Sequence, residues 1–177
     1  MNIEDLKKQK NSSLYPLAND GSYDACMILA HRYKTDASNE DLKVACKFFS
    51  MGHEIEKSTE AKLELGFAAF ECACCFQRLN DISSASKWFL NSGREGNVSG
   101  FFRAAMLQKN VFGNGARKML KEGMEKGSLP CELKYIALTA AEANYVGKIY
   151  WHLRMKISKI RFMRLRTKDE SSFRVRV

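Results

Sequence analysis

Proline is scarce in this sequence: two residues in 177, Pro16 and Pro130. Proline breaks helix interiors and central strands, so its scarcity leaves long regular helices open. Long apolar runs are absent as well. The most apolar stretch, Leu65 to Phe76, is far shorter than the ~20 residues of a membrane-spanning helix, and it carries Glu71. The first thirty residues lack a secretory pattern, since Lys7, Lys8 and Lys10 lead into Asn11, Ser12 and Ser13. A cytoplasmic chain is therefore expected, free to lie at the inner face of a membrane. Its six cysteines should then remain thiols. On a helix, Cys72 and Cys75 share a face while Cys74 points elsewhere, the pattern of core thiols rather than of zinc ligands.

Catalytic signatures are missing too. His53-Glu54 lacks the second histidine of a zinc helix, and Lys57 stands in its place. The three histidines are scattered and read as ordinary surface or partly buried residues. Gly113-x-Gly115 runs into Ala116-Arg117-Lys118, without the third glycine of a dinucleotide loop. Ser84-Ala-Ser-Lys87 has a Ser-x-x-Lys spacing but none of its companion motifs. We expect no enzyme, no cofactor and no metal.

What is present is charge, unevenly placed. The net charge is +9. Residues 1–147 hold 19 basic and 18 acidic side chains, whereas residues 148–177 hold 10 and 2. Three parts follow: an N-terminal segment over 1–17, a nearly neutral helical body over 18–147, and a cationic C-terminal helix and tail over 148–177.

Within the body, apolar residues recur at helical spacing. Ala25, Cys26, Leu29, Ala30 and Tyr33 predict one helix. Leu42, Ala45, Cys46, Phe48 and Phe49 predict a second, opened by the polar run from Ser38 to Asp41. Further helices are expected over Thr59 to Arg78, from Asp81, over Val98 to Lys109, over Asn114 to Glu125 and from Pro130, a residue suited to a first helical turn. The acidic pairs Glu40-Asp41, Glu54/Glu56 and Glu60/Glu64 solvate helix faces in this reading.

The helices repeat in pairs. Ala45, Ala85 and Ala116 anchor the second helix of each pair. Phe48, Trp88 and Met119 lie three positions on, and Phe49, Phe89 and Leu120 four. Gly52, Gly93 and Gly123 follow near the helix end, where a glycine accepts the left-handed backbone that stops a helix. Eleven positions beyond the anchors stand Glu56, Gly96 and Gly127. The first helices share Gly21-x-x-x-Ala25, Gly96-x-x-x-Gly100 and Gly127-x-x-x-Cys131, and one unit instead has Ala61 followed by Leu65-Gly66. Such two-helix units cannot bury their own apolar faces and must stack.

The phrases Asp81-Ile-Ser-Ser-Ala85-Ser-Lys-Trp88-Phe89 and Ala61-Lys-Leu-Glu-Leu65-Gly66 resemble the Sel-one-like repeat family, relatives of tetratricopeptide repeats. The resemblance covers about residues 18 to 143, as about three units. Glu56 departs from the usual second glycine, and Met119-Leu120 from the usual aromatic pair. The resemblance implies an all-α fold, a short right-handed solenoid of antiparallel helical hairpins, and the task of a non-catalytic scaffold holding a protein partner on its concave face. Ala45, Phe48, Phe49, Gly66, Ala85, Trp88, Phe89, Gly93 and Gly123 are its expected packing residues.

The tail interleaves Trp151, Arg154, Lys156, Lys159, Arg161, Arg164 and Arg166 with apolar residues. We read it as a helix continuing from the last repeat. Ile149, Leu153, Ile157 and Ile160 form one stripe, while Trp151, Met155, Phe162 and Leu165 fall near the other side. The plain reading is a cap whose stripe covers the open end of the stack. A peripheral adaptor on an anionic membrane is the alternative. Nucleic-acid contact, an acidic protein partner and a cryptic hydrolase come after it.

Overall fold

The computed structural model describes residues 2–36, 38–58, 65–108 and 113–168, and within the last helix the side chains of Phe162 and of residues 164–168 are not described. Among the described residues there are helices and no strands. The helices are α1 (Ile3–Lys8), α2 (Asn11–Asn19), α3 (Tyr23–Asp36), α4 (Asn39–Ser58), α5 (Phe67–Arg78), α6 (Ile82–Glu95), α7 (Ser99–Met106), α8 (Asn114–Glu125), α9 (Leu129–Glu142) and α10 (Tyr145–Lys168). From α3 onward each helix packs on the next, and α7 also touches α9. The fold is thus all-α with its helices packed in chain order.

Local chemistry explains the starts. Ser38 Oγ accepts from the Asp41 amide at 3.1 Å. Asp81 caps α6, its carboxylate accepting from the Ser84 amide at 3.0 Å. Each cap satisfies an amide that has no partner inside its own helix. Pro130 lies in the first turn of α9, where its missing N–H leaves no gap.

The N-terminal segment is more than a lead-in. It forms α1 and α2, and Leu6, Leu14 and Ala18 join the main core. Arg32 on α3 ties it down, donating to the Lys7 carbonyl at 2.6 Å, the Gln9 carbonyl at 2.8 Å and Asn11 Oδ1 at 2.7 Å. Two of those carbonyls lie at the end of α1, where a cation complements the helix dipole.

The positions aligned from the sequence share their burial at two of three places. Ala45, Ala85 and Ala116 are buried, as are Phe49, Phe89 and Leu120. Phe48 is also buried, while Trp88 and Met119 are half-buried. Trp88 bridges two clusters, packing against the α3–α5 core and against the Ala85–Phe89–Ala104 core.

The glycines need a different reason from the one the sequence suggests. Gly52, Gly93 and Gly123 lie inside helices and do not stop them. They make room. A Cβ on Gly93 would meet the Phe101 ring at 2.7 Å, and one on Gly123 would meet Cys131 Sγ at 2.5 Å. The left-handed positions are Gly96 and Gly127, three and four residues later.

Two boundaries also move. The helix expected from Thr59 begins at Phe67, and Gly66 precedes it as N-cap with φ +77°. The left-handed backbone there favours glycine, and the close approach of the Ser92 backbone leaves no room for a side chain. Ala61, Leu63 and the Glu60/Glu64 pair lie outside the described residues, as does Lys109. The tail does not continue α9: the chain breaks at Ala143, and Asn144 Oδ1 accepts from the Gly147 amide at 2.9 Å to start α10.

Candidate functional site

Two places break the usual rule of polar outside and apolar inside. The first is a buried polar hub where α4, α5 and α6 meet. α4 carries His53 and Glu56 one turn apart, on its inner face with Phe49 and Gly52. Their exposures are 3% and 2%. Glu95, the last residue of α6, reaches the same spot. One ligand-type atom from each of His53, Glu56 and Glu95 lies within 4.8 Å of the others.

Glu56 has a structural duty. Its Oε1 accepts from the Tyr23 hydroxyl at 2.9 Å and from the Ala68 amide at 3.2 Å. Ala68 is in the first turn of α5, and Gly66 has no side chain with which to cap that turn. The carboxylate of Glu56 supplies the cap from another helix, at the positive end of the α5 dipole. Ser92 adds to the hub, its hydroxyl donating to the Gly66 carbonyl at 2.7 Å.

His53 Nδ1 stands 3.2 Å from Glu95 Oε2, yet it makes no hydrogen bond. The imidazole meets the Trp88 ring edge-on, with centroids 5.1 Å apart. Burial pushes the His53 pKa down. Burial, and then the charge of Glu56, pushes the Glu95 carboxyl up. The expectation that all three histidines are ordinary surface or partly buried residues fails at His53.

The second place is α10. Trp151 and Met155 are half-buried and Ser158 is buried, on the side turned to α9. The Ser158 hydroxyl donates to Glu132 Oε1 at 2.7 Å. The opposite stripe is exposed: Val146, Ile149, Leu153, Ile157 and Ile160 all face solvent, Ile157 at 65%. α10 does pack on α9, but through its Trp151–Met155 side, and the isoleucine stripe is left out. Lys148, His152, Lys156 and Lys159 flank the stripe on one side and Arg161 on the other, all exposed. Arg154 is half-buried, its guanidinium 5.2 Å from the centre of the Trp151 ring. The side chains of Arg164 and Arg166 lie outside the described residues.

The thiols are packing. Cys26, Cys46, Cys72, Cys75 and Cys131 are buried. Cys46 is pushed up to about 12 by its hydrogen bond with Cys72 and by burial, and burial pushes Cys74 to about 11. A raised thiol pKa lowers the thiolate fraction and with it nucleophilicity. Cys46 and Cys72 also floor a groove of about 340 Å³ between α4 and α5, with Phe76 beside them and Lys43 and Lys47 at its rim. The Ser84 amide is engaged by Asp81 at the start of α6.

These features define the class: an all-helical protein whose helices pack in sequence, with no described helix long and apolar enough to cross a membrane. The chain matches no family model, no curated protein and no solved structure.

Proposed function

We propose that the chain is a non-catalytic protein-interaction scaffold, a short right-handed solenoid of Sel-one-like helical hairpins in the cytoplasm. The observation that carries this reading is the equivalence of the repeat positions. Residues aligned from sequence alone, Phe49, Phe89 and Leu120, are all fully buried, on helices that each pack on their neighbours. Stacked hairpins bury a continuous core and leave one face for a partner. A near-neutral body recruits that partner by shape and apolar contact rather than by long-range charge. The test is affinity capture with the full chain and with residues 144–177 deleted. A scaffold retains a specific partner through the body alone. A partner lost with the deletion would place recognition in α10 instead.

A second reading has its own observation, the exposed stripe of α10 with Lys148, Lys156 and Lys159 along one side and Arg161 on the other. That is the composition of a helix lying in a membrane interface, apolar residues toward the acyl chains and Lys/Arg at the headgroups. Each cation adds about 1 kcal/mol near anionic lipid. In this reading the scaffold is peripheral, at the inner face of a membrane. Co-sedimentation with phosphatidylserine vesicles at low salt tests it, and failure to sediment removes it.

A further inference from the structure

We infer that His53, Glu56 and Glu95 bind a divalent first-row transition ion, with zinc the natural probe. The donor set is one imidazole nitrogen and two carboxylates, which suits zinc and its neighbours. Bonds of ~2.1 Å place ligand atoms up to roughly 4 Å apart, and these lie within 4.8 Å. Glu95 closes the remainder by a small side-chain rotation, since it is only part-buried at 26% side-chain exposure.

The unmet group in the cluster is His53 Nδ1. It is buried and has no hydrogen-bond partner, although Glu95 Oε2 is 3.2 Å away. Nε2 faces Glu54 Oε1 at 3.9 Å. Nδ1 and the Glu95 oxygen face each other at 3.2 Å without a hydrogen bond, so a cation placed between them would be held by both. The surroundings favour that cation. Glu95 ends α6 and Glu56 is two residues from the end of α4, so two negative helix poles meet here against the one positive pole of α5 that Glu56 already caps. Tyr23 and the Ala68 amide hold Glu56 by Oε1, the kind of outer support that orients ligands. The nearby cation Lys57 is directed elsewhere: it is exposed and lies 3.7 Å from Glu54 Oε2.

The repeat itself marks the site. At the position eleven beyond the alanine anchor, Gly96 and Gly127 stand in the other units and Glu56 stands here. A carboxylate has replaced a turn glycine at the one junction that also offers a buried histidine.

The test is zinc titration of the full-length, chelator-stripped chain by calorimetry, with cobalt(II) as spectroscopic probe. We expect one equivalent bound, a raised melting temperature in zinc, and a cobalt spectrum without thiolate charge transfer. Glu95→Gln should weaken zinc binding by more than about tenfold, and Glu40→Gln, at an exposed position paired with Lys43, should leave it unchanged. His53→Gln should abolish it. If His53→Gln fails to fold, Glu95→Gln at the part-exposed position decides. No saturable uptake, uptake indifferent to Glu95→Gln, or a cobalt–thiolate band would each overturn the assignment.

Discussion

The α4–α5–α6 junction and the outer face of α10 are inversions of each other. The junction buries two charged-type side chains, His53 and Glu56, in a helical core. The outer face of α10 leaves Val146, Ile149, Leu153, Ile157 and Ile160 in solvent. Elsewhere in the body the exposed large apolar side chains Ile3, Leu65 and Ile82 stand singly and the buried polar residues Ser92 and Ser128 are small, so the charged hub and the continuous stripe stand out. Their costs differ in kind. A buried carboxylate must be hydrogen-bonded or neutralised, and Glu56 meets that demand through Tyr23 and the Ala68 amide. An exposed apolar stripe strains nothing inside the molecule and only awaits a surface to cover it. Substitutions at the junction should therefore register as stability, and substitutions on the stripe as binding.

The two largest effects expected on the stability side lie at the α6–α7 contact next to the junction. A Cβ on Gly100 would be driven into the Phe89 carbonyl and the Gly93 amide, both backbone. Gly100→Ala should cost about 3 kcal/mol in urea unfolding, the cost of overpacking a site that cannot yield. Phe89→Ala empties a fully buried position and should cost about 3–5 kcal/mol. Trp88→Ala, at a half-buried ring, should cost less than Phe89→Ala. The reverse order in paired unfolding curves would break the repeat register. Ser92→Ala leaves the Gly66 carbonyl without its donor and should cost about 1–2 kcal/mol.

How far the sequence revealed these places follows from what each depends on. Periodicity located α4, α6, α8 and α9, because each has one apolar face toward a neighbour. It also gave α10 as a helix with two opposite apolar stripes, but not the break at Ala143 or which stripe meets α9, because both depend on how the helix is packed. Gly93 and Gly123 drew notice as aligned small residues, but their role as clearance for Phe101 and Cys131 depends on which helix lies opposite. The hub was hidden because its three residues come from two helices, with Glu95 about forty residues from Glu56. The signal that could have found it is Glu56 itself, an acid where the two segments aligned with it carry Gly96 and Gly127. The α1–α2 segment was passed over because short helices show too few turns for a periodic pattern.

The stripe supplies the next prediction. Leu153→Ser combined with Ile157→Ser removes two exposed apolar side chains and should change unfolding stability by no more than about 0.5 kcal/mol. If α10 acts at an anionic membrane, the same pair should abolish co-sedimentation with phosphatidylserine vesicles. A loss of stability without loss of vesicle binding would mean that the stripe is core and that the contrast with the junction is false.

The smallest effect is a pH dependence at the two ends of α6, which carry acids in opposite situations. Glu95 at the C-terminal end is raised by burial and by Glu56. Asp81 at the N-terminal end is lowered by its hydrogen bonds from Ser84. A carboxyl lowered in the folded state stabilises it above the unfolded pKa, and that contribution disappears as pH falls through the folded value. Asp81 therefore steepens acid unfolding below about pH 4. Asparagine caps a helix nearly as well but does not titrate. Asp81→Asn should leave the urea midpoint at pH 7 nearly unchanged and lessen its decline between pH 7 and pH 3. An equal decline in both proteins would show that the cap works without its charge. The acids responsible for acid unfolding would then have to be sought elsewhere than at the start of α6.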